Sequence, residues 1–206
     1  GLVGANGVGK STLLRILVGL NTGFQGDVMV NNIHLEKKNL KTIRKNVGYV
    51  FQDADSQLFM STVFEDVAFA PRNYGMSEAE VNEKTMEALK VVHIEQLKDK
   101  QIYKLSGGEK KLASIATILS TEPDVILMDE PSVALDPKNR RNLINILNRL
   151  NQAKIIASHD LNMIMDTCER TILLSDGKII KDGNTKEILL DKELMEESGL
   201  ELPLGY

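Results

Sequence analysis

The sequence predicts an α/β protein with a mainly parallel central sheet and a helical insertion in the middle of the chain. Two short, nearly continuous apolar runs, "DVILMDEP" and "KIIASHD", have the pattern of parallel strands buried on both faces. Between them, "NRRNLINILNRLNQ" has the apolar spacing of a crossover helix. From residue 53 to about residue 116, the apolar residues recur mostly at helical spacing, which indicates the insertion.

The remaining elements are predicted from shorter patterns. Residues 1–3 are typical of the end of a strand, and "VGYVFQ" predicts a strand that ends at Gln52. Residues 10–19 predict a helix, and "GDVMVNN" a short strand and turn. In "TILLSDGKIIKDG" the turn residues Asp176 and Gly177 predict a hairpin. The apolar residues expected on the core face of the first helix are Leu13, Leu14, Leu17 and Val18.

Bulk composition limits the classes of function. The 206 residues are 42% hydrophobic and 26% charged, which is typical of one folded domain. A formal net charge of −4 gives no general attraction to nucleic acid, so we expect no nucleic-acid partner. We therefore predict a single domain over residues 1–206, with a helical subdomain at about 53–116 and a C-terminal tail at about 184–206.

A glycine-rich loop at residues 4–11, "GANGVGKS", matches the pattern G-x-x-x-x-G-K-[ST]. In this pattern the backbone N–H groups wrap the β-phosphate of a nucleotide, and the next helix presents its positive end. Lys10 is expected to reach the β- and γ-phosphates, and Ser11 to bind Mg²⁺. The residues predicted to bind the nucleotide here are Gly4, Asn6, Gly7, Gly9, Lys10, Ser11 and Thr12.

Such a loop starts from the end of a buried strand, and only three residues precede Gly4. We therefore expect a P-loop NTPase core, of the RecA-like kind, whose N-terminal strands precede Gly1.

Polar side chains follow the predicted strands. Asp129 ends one strand, where a carboxylate can hold Mg²⁺ opposite Ser11, and the adjacent Glu130 is the predicted catalytic base. His159 follows the next strand and is expected to donate to a γ-phosphate oxygen as neutral imidazole, although a structural histidine is the alternative. Gln52 could bind the metal or the attacking water, or be an ordinary turn residue.

A second glycine pair lies in "KLSGGEKKLA". Ser106 and Glu109 have the spacing of an S-x-x-E capping box, so these residues could simply begin a helix. Gly107 and Gly108, however, would leave that helix end bare, and bare N–H groups at a positive helix end bind anions. We expect Ser106, Gly107 and Gly108 of each chain to cover the γ-phosphate held by the phosphate loop of another chain.

Together these motifs resemble those of the ATP-binding-cassette family over nearly the whole chain. "GANGVGKST" resembles the Walker A motif, Gln52 the Q-loop glutamine, "LSGGE" the signature, "VILMDE" Walker B, "ALD" the D-loop and His159 the switch histidine. The resemblance implies ATP hydrolysis with Mg²⁺ in a head-to-tail dimer that encloses two ATP molecules.

Three stretches are similar to the ATPases of energy-coupling-factor transporters, including the cobalt and nickel branch: "FQDADSQLFMSTVFEDVAFAPRNYG", "LSGGEKK" and "GLELP". That similarity implies a peripheral subunit at the cytoplasmic face of the membrane that powers uptake of cobalt, nickel or a vitamin. The implied partners are a second cassette, identical or paralogous, a transmembrane coupling protein and a substrate-binding membrane subunit.

In that subfamily the segment after the Q-loop forms a groove for the coupling protein. The apolar residues that could line it are Leu58, Phe59, Met60, Val63 and Phe64, and packing in the subdomain core is the alternative for each. Asp53 and Asp55 could pair with basic residues of the partner.

The sequence also departs from the family pattern. Glu109 replaces the usual Gln and brings a negative charge near a phosphate site, and Leu112 stands where an Arg is common. The aromatic residue that stacks on adenine in this family would lie before Gly1.

Two other functions are consistent with a phosphate loop. One is a non-transport cassette ATPase that acts on nucleic acid or ribosomes, although these usually carry a long coiled-coil insertion, a second cassette or a basic region. The other is a small-molecule kinase, which leaves the Ser106 loop and His159 without a role.

Overall fold

The computed structural model describes residues 1–205, which form eight β-strands and nine α-helices. None of the helices in this part of the chain is both long and apolar enough to cross a membrane. The strands are β1 Leu2–Val3, β2 Met29–Val30, β3 Ile33–His34, β4 Val47–Val50, β5 Val125–Asp129, β6 Ala153–Ala157, β7 Arg170–Ser175 and β8 Lys178–Asn184. The helices are α1 Lys10–Leu17, α2 Leu40–Asn46, α3 Val63–Asn73, α4 Glu78–Val91, α5 Gly107–Leu119, α6 Pro137–Arg149, α7 Leu161–Thr167, α8 Thr185–Leu189 and α9 Lys192–Glu197.

The main sheet has six strands in the order β4-β5-β6-β1-β7-β8. Strand β1 is parallel to both β6 and β7, with Leu2 opposite Ala157 on one side and Ile172 on the other. Strand β8 is antiparallel to β7 and forms one edge, and β2 and β3 form a separate antiparallel pair. This mostly parallel sheet with helices confirms the predicted α/β P-loop class.

The chain divides into two compact units. The first contains Gly1–Arg44, Leu127–Ser132 and the chain from Lys154 onward, and the second contains Lys45–Ile126 and Val133–Ala153. The predicted division into a 53–116 subdomain and a 184–206 tail stays a prediction, and Tyr206 lies outside the described residues.

The first unit is built around β1, β6 and β7. The predicted hairpin is confirmed, and its turn residues Asp176 and Gly177 have positive φ angles of 48° and 72°. Leu14 in helix α1 and Val18 at its C-cap are buried, as expected, but Leu13 is 37% exposed because it lies one residue off the buried stripe. The sequence had predicted Leu13 in the core, and this was wrong.

The second unit contains three mutually packed helices, α3, α4 and α5. Thr62 caps α3 through the backbone N–H of Glu65, and Ser77 with Glu80 forms a full capping box at the start of α4. Residues 53–62, which were expected to be helical, contain only a short 3-10 turn at Ala54–Ser56.

The strand that was expected to end at Gln52 ends at Val50. The reason is that side chains satisfy the next backbone groups. The N–H of Phe51 donates to Oε1 of Gln57 at 3.1 Å, and the carbonyl oxygens of Phe51 and Gln52 accept from Nζ of Lys111 at 3.0 and 2.7 Å. These groups are therefore not available to a strand partner.

Candidate nucleotide-binding and hydrolysis site

The loop between β1 and α1 leaves the first turn of α1 open. Gly9 is the N-cap of α1 with φ 108°, and no side chain caps the helix. A Cβ at Gly9 would meet nothing within 4 Å, whereas a Cβ at Gly4 would lie 2.4 Å from the carbonyl oxygen of Leu174. Gly4 is therefore needed for a close backbone approach and Gly9 for its left-handed conformation. Gly7, Asn6 and Thr12 are exposed in the same region.

Lys10 is buried across this loop. Its Nζ donates to the carbonyl oxygens of Gly4 at 2.7 Å and Ala5 at 3.3 Å, and the residue is 7% exposed. An ammonium group held there, beside the uncapped helix end, attracts an anion bound to the loop.

Ser11 and Asp129 meet in the first unit. The hydroxyl of Ser11 donates to Oδ1 of Asp129 at 2.8 Å, and Asp129 is 1% exposed at the end of β5. A hydroxyl and a carboxylate are hard oxygen ligands of the kind that Mg²⁺ prefers. The donor set therefore fits the metal that the sequence predicted.

Glu130 turns away from the line of β5. It has a positive φ of 46°, which is strained for a residue with a side chain, and its N–H donates to the carbonyl oxygen of Ala157 at 2.8 Å. The carboxylate is buried and accepts hydrogen bonds at Oε2 from the hydroxyl of Ser158 and the N–H of His159, both at 3.1 Å. Together with the ring of His159, these two groups fix the orientation of the carboxylate at the end of β6.

His159 supplies the third of these contacts, with Nδ1 2.8 Å from Oε2 of Glu130. Because a carboxylate has no proton to donate, the proton in this contact is on Nδ1. Neutral imidazole would then have an acceptor at Nε2 and could not donate to a phosphate oxygen from this position. The donation that was expected of neutral His159 requires a ring turned away from Glu130. Its side chain is 57% exposed, so there is room for this rotation.

Lys10, Ser11, Asp129, Glu130 and His159 all lie in the first unit, where Ser11 contacts Asp129 and Glu130 contacts His159. Gln52 and the Ser106 loop belong to the second unit. The side chain of Gln52 is exposed, and its predicted contact with metal or water stays a prediction.

The second glycine pair begins α5, as expected. Ser106 is the N-cap, and both hydrogen bonds of its capping box with Glu109 are present. Gly107 is exposed, with nothing within 4 Å of a Cβ built on it. Gly108 differs from the expectation, because it is buried and its Cβ would lie 2.7 Å from Nδ2 of Asn139. Only Gly107 leaves the helix end bare.

Three residues whose side chains support the candidate site were not identified from the sequence. Ser158 was not predicted, because side chains alternate along a strand and its neighbour His159 had been assigned to the site. Lys111 in α5 is only 3% exposed. It was missed because a charged residue is not part of the apolar spacing from which buried helix positions are predicted. Lys100 forms an ion pair with Glu109 at 2.9 Å, and no motif includes it.

Comparisons with known proteins agree with this geometry. A family model described as "ABC transporter" matches residues 1–133. A protein of Geobacter sulfurreducens, provisionally named an ABC transporter ATP-binding protein, is 47% identical over 99% of this chain and 82% of its own length. The energy-coupling factor transporter ATP-binding protein EcfA of Carboxydothermus hydrogenoformans is 41% identical over 98% of this chain and 76% of its own length.

Solved structures give the same result. CbiO1 from Clostridium perfringens, part of the ABC transporter complex CbiONQ, superposes with a TM-score of 0.84 at 36% identity, over 95% of this chain and 80% of its own. A dimeric ATP-binding cassette in a post-hydrolysis state, bound to ADP and Pi, gives 0.79 at 30% identity, over 89% of this chain and 84% of its own. The chain belongs to the ABC transporter family, as an ATP-binding, ATP-hydrolysing subunit.

Proposed function

We propose that this chain is the ATPase subunit of an energy-coupling-factor-type importer for cobalt, nickel or a vitamin, bound at the cytoplasmic face of the membrane. The relatives named EcfA and CbiO1 support this subtype. The observation that carries it is an exposed aromatic groove on the second unit, suited to a helix of a membrane protein.

The first unit holds the phosphates. Lys10 and the open N-terminus of α1 bind the β- and γ-phosphates of ATP, with Gly4, Asn6, Gly7, Gly9 and Thr12 forming the rest of the loop. Ser11 and Asp129 would hold Mg²⁺. This ion would neutralise charge on the phosphate oxygens.

Glu130 acts on the attacking water. Its carboxylate accepts the proton that the water loses as the water oxygen bonds to the γ-phosphorus and the bond to the β-phosphate oxygen breaks. Ser158 and His159 fix the orientation of this carboxylate through the hydrogen bonds at Oε2. His159 contacts the γ-phosphate once its ring leaves Glu130.

A second cassette, identical or paralogous, completes the site. The N–H of the exposed residue Gly107, at the positive end of α5, faces the γ-phosphate held by the other chain, with Ser106 and Gly108 forming the rest of that loop. The capping box uses the N–H groups of Ser106 and Glu109, so the N–H groups of Gly107 and Gly108 between them remain for an anion.

The groove lies beside the start of α3. Phe59 is 63% exposed and Tyr103 is 74% exposed, and both line the depression. Its other lining residues are Asp55, Leu58, Met60, Ser61, Gln101, Ile102 and Lys110.

The buried carboxylate of Asp66 fixes one wall of this groove. It accepts from the backbone N–H groups of Phe59 and Met60, both at 3.1 Å. Burial raises the pKa of Asp66, and these two hydrogen bonds oppose that effect. The backbone at Phe59 and Met60 is therefore held by a buried anchor.

Two expectations about the groove change. Val63 is fully buried and packs in the core rather than lining the groove. Asp55 is paired with Lys110, and Asp53 accepts from Ser56 Oγ at 2.9 Å and from the N–H of Asp55 at 3.0 Å. Both carboxylates are thus already engaged within the chain, and recognition of the partner rests mainly on apolar contact.

We expect Phe59→Glu to abolish capture of the membrane subunits while ATP binding by the purified chain is unchanged, because a charge replaces an exposed aromatic anchor. The measurement is co-purification from detergent-solubilised membranes of cells that express the intact protein. Ile179→Glu is the matched control, since Ile179 is 62% exposed on β8. Equal loss of capture in both variants would contradict a role for the groove.

Identification of the captured membrane proteins tests the proposed subtype. A transmembrane coupling protein and a substrate-binding subunit support it, and uptake of labelled cobalt, nickel or vitamin by the complex would identify the substrate. Capture of ribosomes or nucleic acid instead would support the non-transport alternative.

Lys10→Ala is expected to weaken ATP binding at least about tenfold, because it removes a charge-assisted contact to the phosphates. Calorimetric titration with ATP measures the effect, and a thermal melt checks the fold, since Lys10 also bridges Gly4 and Ala5. Lys41→Ala, at an exposed position of α2, removes the same charge and should bind ATP normally. Unchanged affinity in the Lys10 variant would exclude the loop as the nucleotide site.

A further inference from the structure

The signature loop of this chain contains a carboxylate in an unfavourable place. Glu109 lies two residues after Gly107, at the positive helix end where the γ-phosphate of a second chain is to dock. A negative charge beside a docking phosphate repels it and weakens docking. A compensating group is therefore needed if this helix end is to bind an anion.

Lys100 is in position to compensate. Its Nζ donates to both carboxylate oxygens of Glu109, at 3.1 Å to Oε1 and 2.9 Å to Oε2. Oε2 also accepts from the backbone N–H of Ser106 at 2.8 Å. The two side chains are only 33% and 29% exposed, so water screens this pair less than an ion pair on the open surface.

The backbone of Lys100 is fixed on both sides. Its N–H donates to the carbonyl oxygen of Leu97 at 2.8 Å, and its carbonyl oxygen accepts from the N–H of Val63 at 3.1 Å, at the start of α3. The ammonium therefore approaches Glu109 from a fixed point rather than from a free loop.

Glu109 is held in its charged form. Partial burial raises the pKa of Glu109, but the hydrogen bond from the Ser106 N–H and the contact with Lys100 outweigh it, so that the net pKa is lowered. The carboxylate consequently does not lose its charge by protonation, and its neutralisation depends on a cation.

We propose that Lys100 is a positioning residue for the ATP-bound dimer: it neutralises Glu109 and holds it against the Ser106 backbone, so that the helix end at Gly107 accepts the γ-phosphate of the second chain. This inference rests on the proposed function, in which that helix end faces a nucleotide. Under this inference, dimerisation requires Lys100 only in a protein that has an acidic residue at position 109.

The test uses the intact protein carrying Glu130→Gln, so that ATP is not consumed, and measures the ATP concentration at half-maximal dimerisation by light scattering after size exclusion. Lys100→Met should raise this concentration at least about tenfold, because the charge of Glu109 is no longer compensated. ATP binding to the phosphate loop of the monomer should be unchanged. Lys98→Met, which removes the same charge from an exposed position in the same loop, should dimerise at the parental concentration.

The double variant Lys100→Met with Glu109→Gln separates charge compensation from simple packing. If Lys100 acts by neutralising Glu109, the double variant should dimerise at the same ATP concentration as Glu109→Gln alone. A defect of equal size in Lys100→Met and in the double variant would overturn the inference, as would parental dimerisation of Lys100→Met confirmed as folded by a thermal melt.

A Gly107→Asp variant, measured in the same way, shows whether only the role of Lys100 is wrong or the proposed function is wrong as well. If Gly107→Asp blocks dimerisation while Lys100→Met does not, the helix end faces a nucleotide and only the role of Lys100 is wrong. If Gly107→Asp dimerises normally, both the two-chain site and the role of Lys100 are wrong.

Discussion

Glu130→Gln is expected to bind ATP with parental affinity and to hydrolyse it roughly a hundredfold to ten-thousandfold more slowly, the range that general-base catalysis contributes. The amide has the shape of the acid, and its oxygen can still accept from Ser158 and His159. It cannot take a proton from water near neutral pH. The phosphate contacts come from Lys10 and the loop, so binding should persist.

Phosphate release under saturating ATP measures the loss, and calorimetric titration measures binding. Glu193→Gln, at an exposed position of α9, is the matched control and should hydrolyse ATP at the parental rate. Turnover close to parental in the Glu130 variant would show that another group accepts the proton.

Gly107→Asp is expected to leave ATP binding intact and to prevent ATP-driven dimerisation. The structure makes Gly107 a better probe than Gly108, since a side chain at Gly108 would press on Asn139 whereas the space around Gly107 is open. Asp at the first position of a helix also interacts favourably with its dipole, so the fold should not be weakened.

Gly107→Asn separates the effect of charge from that of size, because it has nearly the same volume. On a Glu130→Gln background, we expect the Asn variant to dimerise at a lower ATP concentration than the Asp variant. Dimerisation of both at the parental concentration would mean that the second glycine pair is only a helix cap, which is the alternative left open by the sequence.

Much of the candidate site could be predicted because its signals are local. The spacing of Gly4, Gly9, Lys10 and Ser11 is set by the geometry of one turn and one helix start. Likewise the capping box at Ser106 depends on residues three apart, and the structure contains both of its hydrogen bonds. The strands β5 and β6 were recognisable because strands buried on both faces are continuously apolar.

The remaining contacts join residues that are far apart in the sequence. The pattern of a single sequence does not indicate which distant residues will meet. Ser158 and His159 reach Glu130 from a strand end almost thirty residues away, and this contact, rather than any motif, determines which imidazole nitrogen carries the proton.

The sequence by itself determined the class of fold, the phosphate loop and the polar residues at the strand ends, because periodicity and turn chemistry are properties of neighbouring residues. Only the tertiary structure decided that Asn139 covers Gly108, that Lys111 fixes the backbone before the groove, and that Lys100 pairs with the unusual Glu109. The physical reason is that long, flexible lysine and asparagine side chains find their partners across elements, and burial then fixes one of many possible pairings.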